Sequence, residues 1–160
     1  MEFCLREFRP EDFEVLWSID QRCFPPGIAY PRAELAAYIR RRGSFTIVAE
    51  TEQRSSPIAG FIVAEASRRG VGHIITIDVL PESRRSGLGS RLLAAAEERL
   101  HQVRCRTVVL ETAVDNTAAL AFYKRHEYSV MKIAPRYYST GVDAFVLEKR
   151  LPPPPPSPQP

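Results

Sequence analysis

Short β-rich apolar runs alternate along the chain with longer stretches whose apolar residues recur at helical spacing. "CLREF" (4–8) alternates and predicts a short strand. In "PEDFEVLWSIDQRCF" (10–24), Phe13, Leu16, Trp17 and Asp20 fall at helical spacing behind acids that suit a helix N-terminus. "PPG" (25–27) breaks that helix. "YPRAELAAYIRRRG" (30–43) predicts a second one, with Pro near its start and Gly43 after a basic last turn. "FTIVAE" (45–50), "IAGFIVAEAS" (58–67) and "GHIITIDVL" (72–80) read as strands joined by the hairpin-like loops "TEQRSSP" (51–57) and "RRGVG" (68–72). "SRLLAAAEERLHQV" (90–103) predicts an amphipathic helix, with Leu88, Leu92, Ala95 or Ala96, Leu100 and Val103 on one face. A strand "TVVLET" (107–112) and a helix "NTAALAFYKRHEY" (116–128), capped by Asn116 or Asp115, follow. Two more strands, "SVMKI" (129–133) and "AFVLEK" (144–149), are joined by "APRYYSTGVD" (134–143).

The order β-αα-βββ-α-β-α-ββ predicts a mixed α/β sheet. Three hairpin-linked strands run antiparallel, and the strand–helix–strand step from 72 to 112 makes one parallel pair through a right-handed crossover. The proline-rich end "PPPPPSPQP" (152–160) supports neither helix nor strand and reads as an extended, disordered tail, open to docking on an SH3- or WW-type domain.

Composition adds bounds. The 160 residues suit a single domain, expected over 1–151, and 44% hydrophobic with 26% charged residues is the balance of a soluble globular chain. A net charge of +3 accommodates an anionic small molecule but does not argue for nucleic acid, and no nucleic-acid partner is expected. The arginines at 40–42 and 68–69 read as solvated surface charge. Three cysteines, Cys4, Cys23 and Cys105, show no CxxC and no ligand spacing, so neither a disulfide framework nor a metal site is expected, and burial as small hydrophobes is the default. No leader-like segment or membrane-length apolar run is visible, so no membrane association is expected, and a reducing, cytoplasmic setting follows as the expectation.

Candidate chemistry begins at "PESRRSGLGSRLL" (81–93). The phosphate-loop pattern GxxxxGK[ST] is absent, and GxGxxG fails because Leu92 stands at the third glycine position. What remains is Arg84-x-x-Gly87-x-Gly89 between an apolar strand and a helix start. Glycines allow backbone N–H groups to converge, and the first N–H groups of a helix are unsatisfied and lie at its positive end. That geometry suits a pyrophosphate, and a plain tight turn explains the same residues.

"IDVLPESRRSGLGSRLL" (77–93) resembles the R/Q-x-x-G-x-G/A motif of the GCN5-related N-acetyltransferases (GNAT), and the element order is also similar to theirs. "LETAVDNTAALAFYKRHEY" (110–128) and "PRYYSTGVDAFVLEK" (135–149) resemble segments of the RimI-like protein N-terminal acetyltransferases. The likeness covers roughly residues 2–151. It implies a GNAT fold: a mostly antiparallel seven-stranded sheet whose central parallel pair splays into a V, flanked by about four helices. It also implies acetyl-CoA as donor, held with its pyrophosphate on backbone N–H groups from Arg85 through Ser86, Gly87, Leu88, Gly89 and Ser90. Arg84 adds charge, and the pantetheine arm lies along Ile77 to Val79, with the Val79 N–H facing the thioester carbonyl. Asn116 matches the family asparagine near that arm, and a helix cap explains it equally well.

By the same resemblance Glu111 is the general base and Tyr123 the general acid toward the departing sulfur. The apolar neighbours Val109 and Leu110 predict a partly buried Glu111 with a raised pKa. His73 matches a position where some eukaryotic N-terminal acetyltransferases carry a tyrosine, their histidine lying at the place of Glu111. A histidine simply standing at a strand start is the plain alternative. Phe24 and Tyr30, in "CFPPGIAYP" (23–31), and the paired Tyr137 and Tyr138 are the implied acceptor walls; Pro-Pro-Gly is a departure from the RimI pattern. The implied reaction is direct attack of an amine on the thioester. A protein or peptide N-terminus is the first acceptor, because an α-amino group has a pKa of about 8 against about 10.4 for lysine. A lysine side chain, a small amine, or a non-catalytic CoA-binding module are the alternatives. Monomer and homodimer are both open.

Overall fold

The computed structural model describes residues 2–52, 57–153, 156 and 158–159. Seven strands form one sheet: β1 (Cys4–Glu7), β2 (Ser44–Glu50), β3 (Ile58–Ala66), β4 (Val71–Val79), β5 (Thr107–Ala113), β6 (Ser129–Ala134) and β7 (Ala144–Arg150). Their spatial order is β1-β2-β3-β4-β5-β7-β6, with β4 and β5 the parallel neighbours. The helices are α1 (Phe13–Cys23), α2 (Arg32–Arg40), α3 (Leu88–Gln102) and α4 (Thr117–Arg125). Every expected element is present, and the β2–β3 and β3–β4 hairpins are antiparallel. Residues 53–56 of the expected 51–57 loop lie outside the described residues.

Period-two alternation divides the core into two layers. Ile47, Ala49, Ile62, Ala64, Val108 and Leu110 face α3, packed against Leu88, Leu92, Leu93, Ala96 and Leu100. The intervening Val48, Phe61 and Val63 face the other way and pack with Leu16 and Ile19 of α1.

The departures from expectation have local causes. Residues 10–12 form a short 3-10 turn, so α1 begins only at Phe13. The second helix is shorter than predicted, and its chain turns through Gly43. The third starts at Leu88 instead of 90 and ends at Gln102, because Arg104 adopts φ 70° and turns the chain. Val103 is consequently 58% exposed and not on the apolar face, while Cys105 is buried. The fourth helix stops at Arg125, three residues short, where left-handed Glu127 (φ 71°) swings Tyr128 into the core. Cys105 fits the small-hydrophobe expectation, but Cys4 is exposed and Cys23 half-buried. The described tail residues carry no helix or strand, and His101 contacts the Pro153 carbonyl at 3.0 Å; residues 154, 155, 157 and 160 lie outside the described residues.

Candidate active site

The parallel pair is short. β4 and β5 are in register only at Val71↔Thr107, Gly72↔Val108 and His73↔Val109, and then they part. The cause lies on the other edge of β4. Val63 of β3 faces Thr76 and Ala64 faces Ile74, so Ile75 is an extra residue. Such a bulge bends and twists the strand that carries it. Between the parted strands opens a cleft of about 1410 Å³. Backbone polar groups alternate sides along a strand, and the Leu80 N–H bonds to Ala59 of β3 at 2.9 Å. Those of Val79 and Ile77 therefore face the cleft; the Val79 carbonyl is taken by Arg84 and Cys23, and the Val79 N–H is left for an extended ligand arm to pair with.

One wall is the expected anion seat. Arg85 (φ 59°) and Gly87 (φ 80°) are both left-handed and lead directly into α3, whose first residues are Leu88, Gly89 and Ser90. The N-cap, Gly87, has no side chain to satisfy the first helical N–H groups, so they remain available to an anion. A Cβ on Gly89 would meet the Phe122 ring at 3.5 Å and Val79 Cγ2 at 4.0 Å, both ordinary contacts; its bareness leaves room for a ligand and is not required by the fold. Arg84 turns its Nε back to the Val79 carbonyl at 2.9 Å. Ser86 bonds the Ser83 carbonyl at 2.6 Å, and Ser90 Oγ lies 2.9 Å from His126 Nε2. Asn116 is a helix cap, accepting the Ala119 N–H at 3.1 Å, while also lining the cleft.

The opposite face carries the titratable groups. Ala64, Ile74 and Leu110 point toward α3, so Glu65, His73 and Glu111 point away from it, on three neighbouring strands. His73 Nε2 lies 2.7 Å from Glu111 Oε2, and its Nδ1 is 3.7 Å from Glu65 Oε1. Arg41 in turn holds Glu65 at 3.1 Å. Burial disfavours the imidazolium, but the bonded Glu111, with Glu65 behind it, outweighs this and holds the His73 pKa above the ordinary value. Glu111 is partly buried, as its apolar neighbours predict, and it does not stand alone. It is half of a His–Glu pair.

Tyr123 lines the cleft from α4, edge-on to Phe122 and Tyr128. Burial, and after it the Asp78 carboxyl, pushes its phenol above the ordinary range, so it stays protonated at neutral pH. Phe24 also lines the cleft. Tyr30 is more constrained than expected. Its N–H donates to Asp20 at 2.7 Å, its carbonyl accepts Trp17 Nε1 at 3.1 Å, and its hydroxyl donates to the Ile75 carbonyl, freed by the bulge, at 3.3 Å. Its hydroxyl is therefore engaged, and the ring serves as wall. Tyr137 and Tyr138, neighbours in the 134–143 loop, meet edge-on at 4.9 Å where that loop lines the cleft, and both feel the Glu111 charge after the effect of burial.

Gly27 explains the Pro-Pro-Gly departure. It has φ 86°, Ser139 Oγ donates to its carbonyl at 3.1 Å, and an added Cβ would stand 2.3 Å from Thr140 Cγ2. The 24–31 and 134–143 loops therefore touch over the cleft because residue 27 has no side chain. Gly27→Ala, strained at this positive φ and pressed against Thr140, is expected to separate them and to speed amide exchange in both loops; hydrogen-exchange mass spectrometry checks this.

Sequence reading missed Glu65, Asp20 and Asp78. Asp78 carried a signal, an acid inside the otherwise apolar "HIITIDVL" (73–80). Asp20 carried another, lying in the helical register of Leu16 and Trp17.

Residues 13–128 match the acetyltransferase (GNAT) family. An uncharacterized N-acetyltransferase of Methanocaldococcus jannaschii is 31% identical over 149 residues, 92% of each chain. An N-alpha-acetyltransferase of Saccharolobus solfataricus is 25% identical over 162 residues, 94% of each chain. A solved NatC complex bound to Gag peptide and CoA is similar with a TM-score of 0.80 and 26% identity, over 95% of this chain and all (100%) of that one. With the splayed strand pair and the anion seat in place, the chain belongs to the GNAT family of acetyltransferases.

Proposed function

We propose that the chain transfers acetyl from acetyl-CoA to the α-amino group of a protein or peptide, by direct attack of the amine on the thioester. The observation that carries this reading is the His73–Glu111 pair at 2.7 Å, set below two aromatic loops that touch over the cleft. Relatives named N-alpha-acetyltransferases and the peptide-bound NatC structure support it.

Acetyl-CoA supplies the activated acyl group, and the residues present fit it: uncapped N–H groups at Leu88–Ser90 for the pyrophosphate and cleft-facing backbone at Ile77 and Val79 for the arm. The amine attacks in its neutral form, and the Glu111–His73 pair takes a proton from its nitrogen as the C–N bond forms. The Val79 N–H faces the carbonyl oxygen, where it stabilises developing negative charge. As the C–S bond breaks, the Tyr123 phenol gives its proton to the departing sulfur and regains one from solvent, to which the pair also returns the proton it took. At pH 7 about 10% of an α-amine is neutral, against on the order of 0.04% of a lysine amine. A single His–Glu pair therefore suits the α-amine. Phe24, Tyr30, Tyr137 and Tyr138 enclose an extended chain end between aromatic faces.

The test is thiol release with acetyl-CoA and a library of peptides differing in their first residues, with mass spectrometry locating the acetyl group. Nα-acetylation of some of them is expected. Turnover of a polyamine or of N-terminally blocked, lysine-containing peptides, with none at free N-termini, would overturn the reading.

A further inference from the structure

Two carboxyl groups the chemistry above does not use lie side by side inside the protein. Asp20 of α1 and Asp78 of β4 are both 0% exposed and within hydrogen-bond reach of each other. Asp20 Oδ2 accepts the Tyr30 N–H at 2.7 Å, with Gln21 Nε2 at 3.5 Å, and Asp78 Oδ1 accepts the Thr76 hydroxyl. The two remaining oxygens, Asp20 Oδ1 and Asp78 Oδ2, are buried and have no donor among the described residues. An ionised carboxylate only accepts, so two of them in contact cannot satisfy one another. One proton between them does so, and it removes the repulsion of two buried like charges.

The pair also occupies a joint. On the Asp20 side hangs Tyr30, at the end of the acceptor loop, whose carbonyl is held by Trp17 and Gln21 of the same helix. On the Asp78 side lies β4, one residue before Val79. We propose that Asp20 and Asp78 share one proton and act as positioning residues, pinning the acceptor loop Phe24–Tyr30 to the cleft strand, so that acceptor affinity falls when alkaline pH removes that proton.

The surroundings assign the proton. Burial raises the pKa of both groups. The Tyr30 N–H favours the charged form of Asp20, whereas Asp20 itself raises Asp78 further, so the proton resides on Asp78. Arg84, from the turn after β4, opposes this by favouring ionised Asp78, as does Thr76. The other groups facing the pair are neutral at pH 7: Cys23 of α1, pushed to about 11 by burial and then Asp78; the phenol of Tyr30 in the loop; and Tyr123 of α4. The sign follows. The folded chain holds a proton that the unfolded chain has released above the ordinary aspartate range, so its contribution to stability is complete only below that range and is lost as pH rises to the raised value, while loop anchoring is lost as pH passes through the raised value.

The inference rests on reading the 24–31 loop as an acceptor wall, and three measurements on the full chain separate the two. With an acceptor peptide, the wild-type KM is expected to rise with pH by up to about tenfold per unit once the proton is lost. Asp78→Asn replaces the proton with an amide donor to Asp20 that cannot titrate. Its acceptor KM is expected to lose that rise, with kcat and the acetyl-CoA KM unchanged. Asp20→Asn, which donates to Asp78 and still accepts from Tyr30, is the second variant should the first fold poorly. Carboxyl 13C NMR of labelled aspartates is expected to show Asp78 titrating far above the ordinary range. Protection of the Tyr30 amide from exchange, taken relative to the intrinsic rate at each pH, is expected to fall at alkaline pH only in the wild type. An Asp78 signal titrating in the ordinary aspartate range, or equal Tyr30 exchange in both proteins, overturns the shared-proton pin. If the pin holds by NMR and exchange while acceptor KM follows the same pH course in wild type and variant, the acceptor reading of the loop is overturned instead.

Discussion

Glu111→Gln is expected to lower kcat by about 10²–10⁴, the range for loss of a positioned general base. It is also expected to move the acid limb of the rate profile to lower pH. In the wild type burial depresses the His73 pKa, and the Glu111 carboxylate, with Glu65, more than restores it. The rate therefore falls as pH drops through the raised value and the pair takes up a proton. Glutamine keeps the shape but loses the charge, leaving burial opposed only by Glu65, so His73 becomes easier to deprotonate. The same linkage acts on folding. A histidine raised in the folded state contributes stability that is complete below its unfolded pKa and is lost as pH rises through the folded one. The variant should lack that component. Paired kcat–pH and melting–pH curves check both limbs; a full-rate variant with an unmoved acid limb removes Glu111 from the chemistry.

The largest effect on stability is expected from Leu100→Ala, which should cost about 2–5 kcal/mol. Leu100 is fully buried on α3, against the point where β4 and β5 still pair. It fills the space left by Gly72, where an added Cβ would stand 2.6 Å from Leu100 Cδ1. Removing it opens a cavity under the vertex of the V. For a chain of this size the melting temperature should fall by roughly 4–20 °C. Leu100→Met keeps the volume and should cost less than about 1.5 kcal/mol. Calorimetry of the two variants tests this, and equal melting for Ala and wild type would mean Leu100 does not carry the vertex.

The element order was legible because its signals are local. The β-rich run "FTIVAE" (45–50), the helical spacing in "SRLLAAAEERLHQV" (90–103) and the breaks at "PPG" and Gly43 each sit within one element or turn. The anion seat was legible for the same reason, since Gly87 and Gly89 act through their own backbone. Resemblance brought Glu111, Tyr123 and His73 into view one at a time. Helix ends were less legible. Val103 looks apolar and in phase, but the left-handed turn at Arg104 takes it out of the core.

By itself, then, the sequence determined four helices, seven strands and a glycine-lined helix start, all properties of neighbouring residues, and their order pointed to one parallel pair. Only the tertiary structure decided what those residues do to each other. His73 and Glu111 are 38 positions apart and meet because β4 and β5 are parallel neighbours that turn the same face to the cleft. The bulge at Ile75 parts the strands immediately beyond them and frees the carbonyl that holds Tyr30. Asp20 and Asp78, acids at apolar positions of two separate elements, become a proton-sharing pair only because a helix and a strand bury them together, where water can no longer separate their charges.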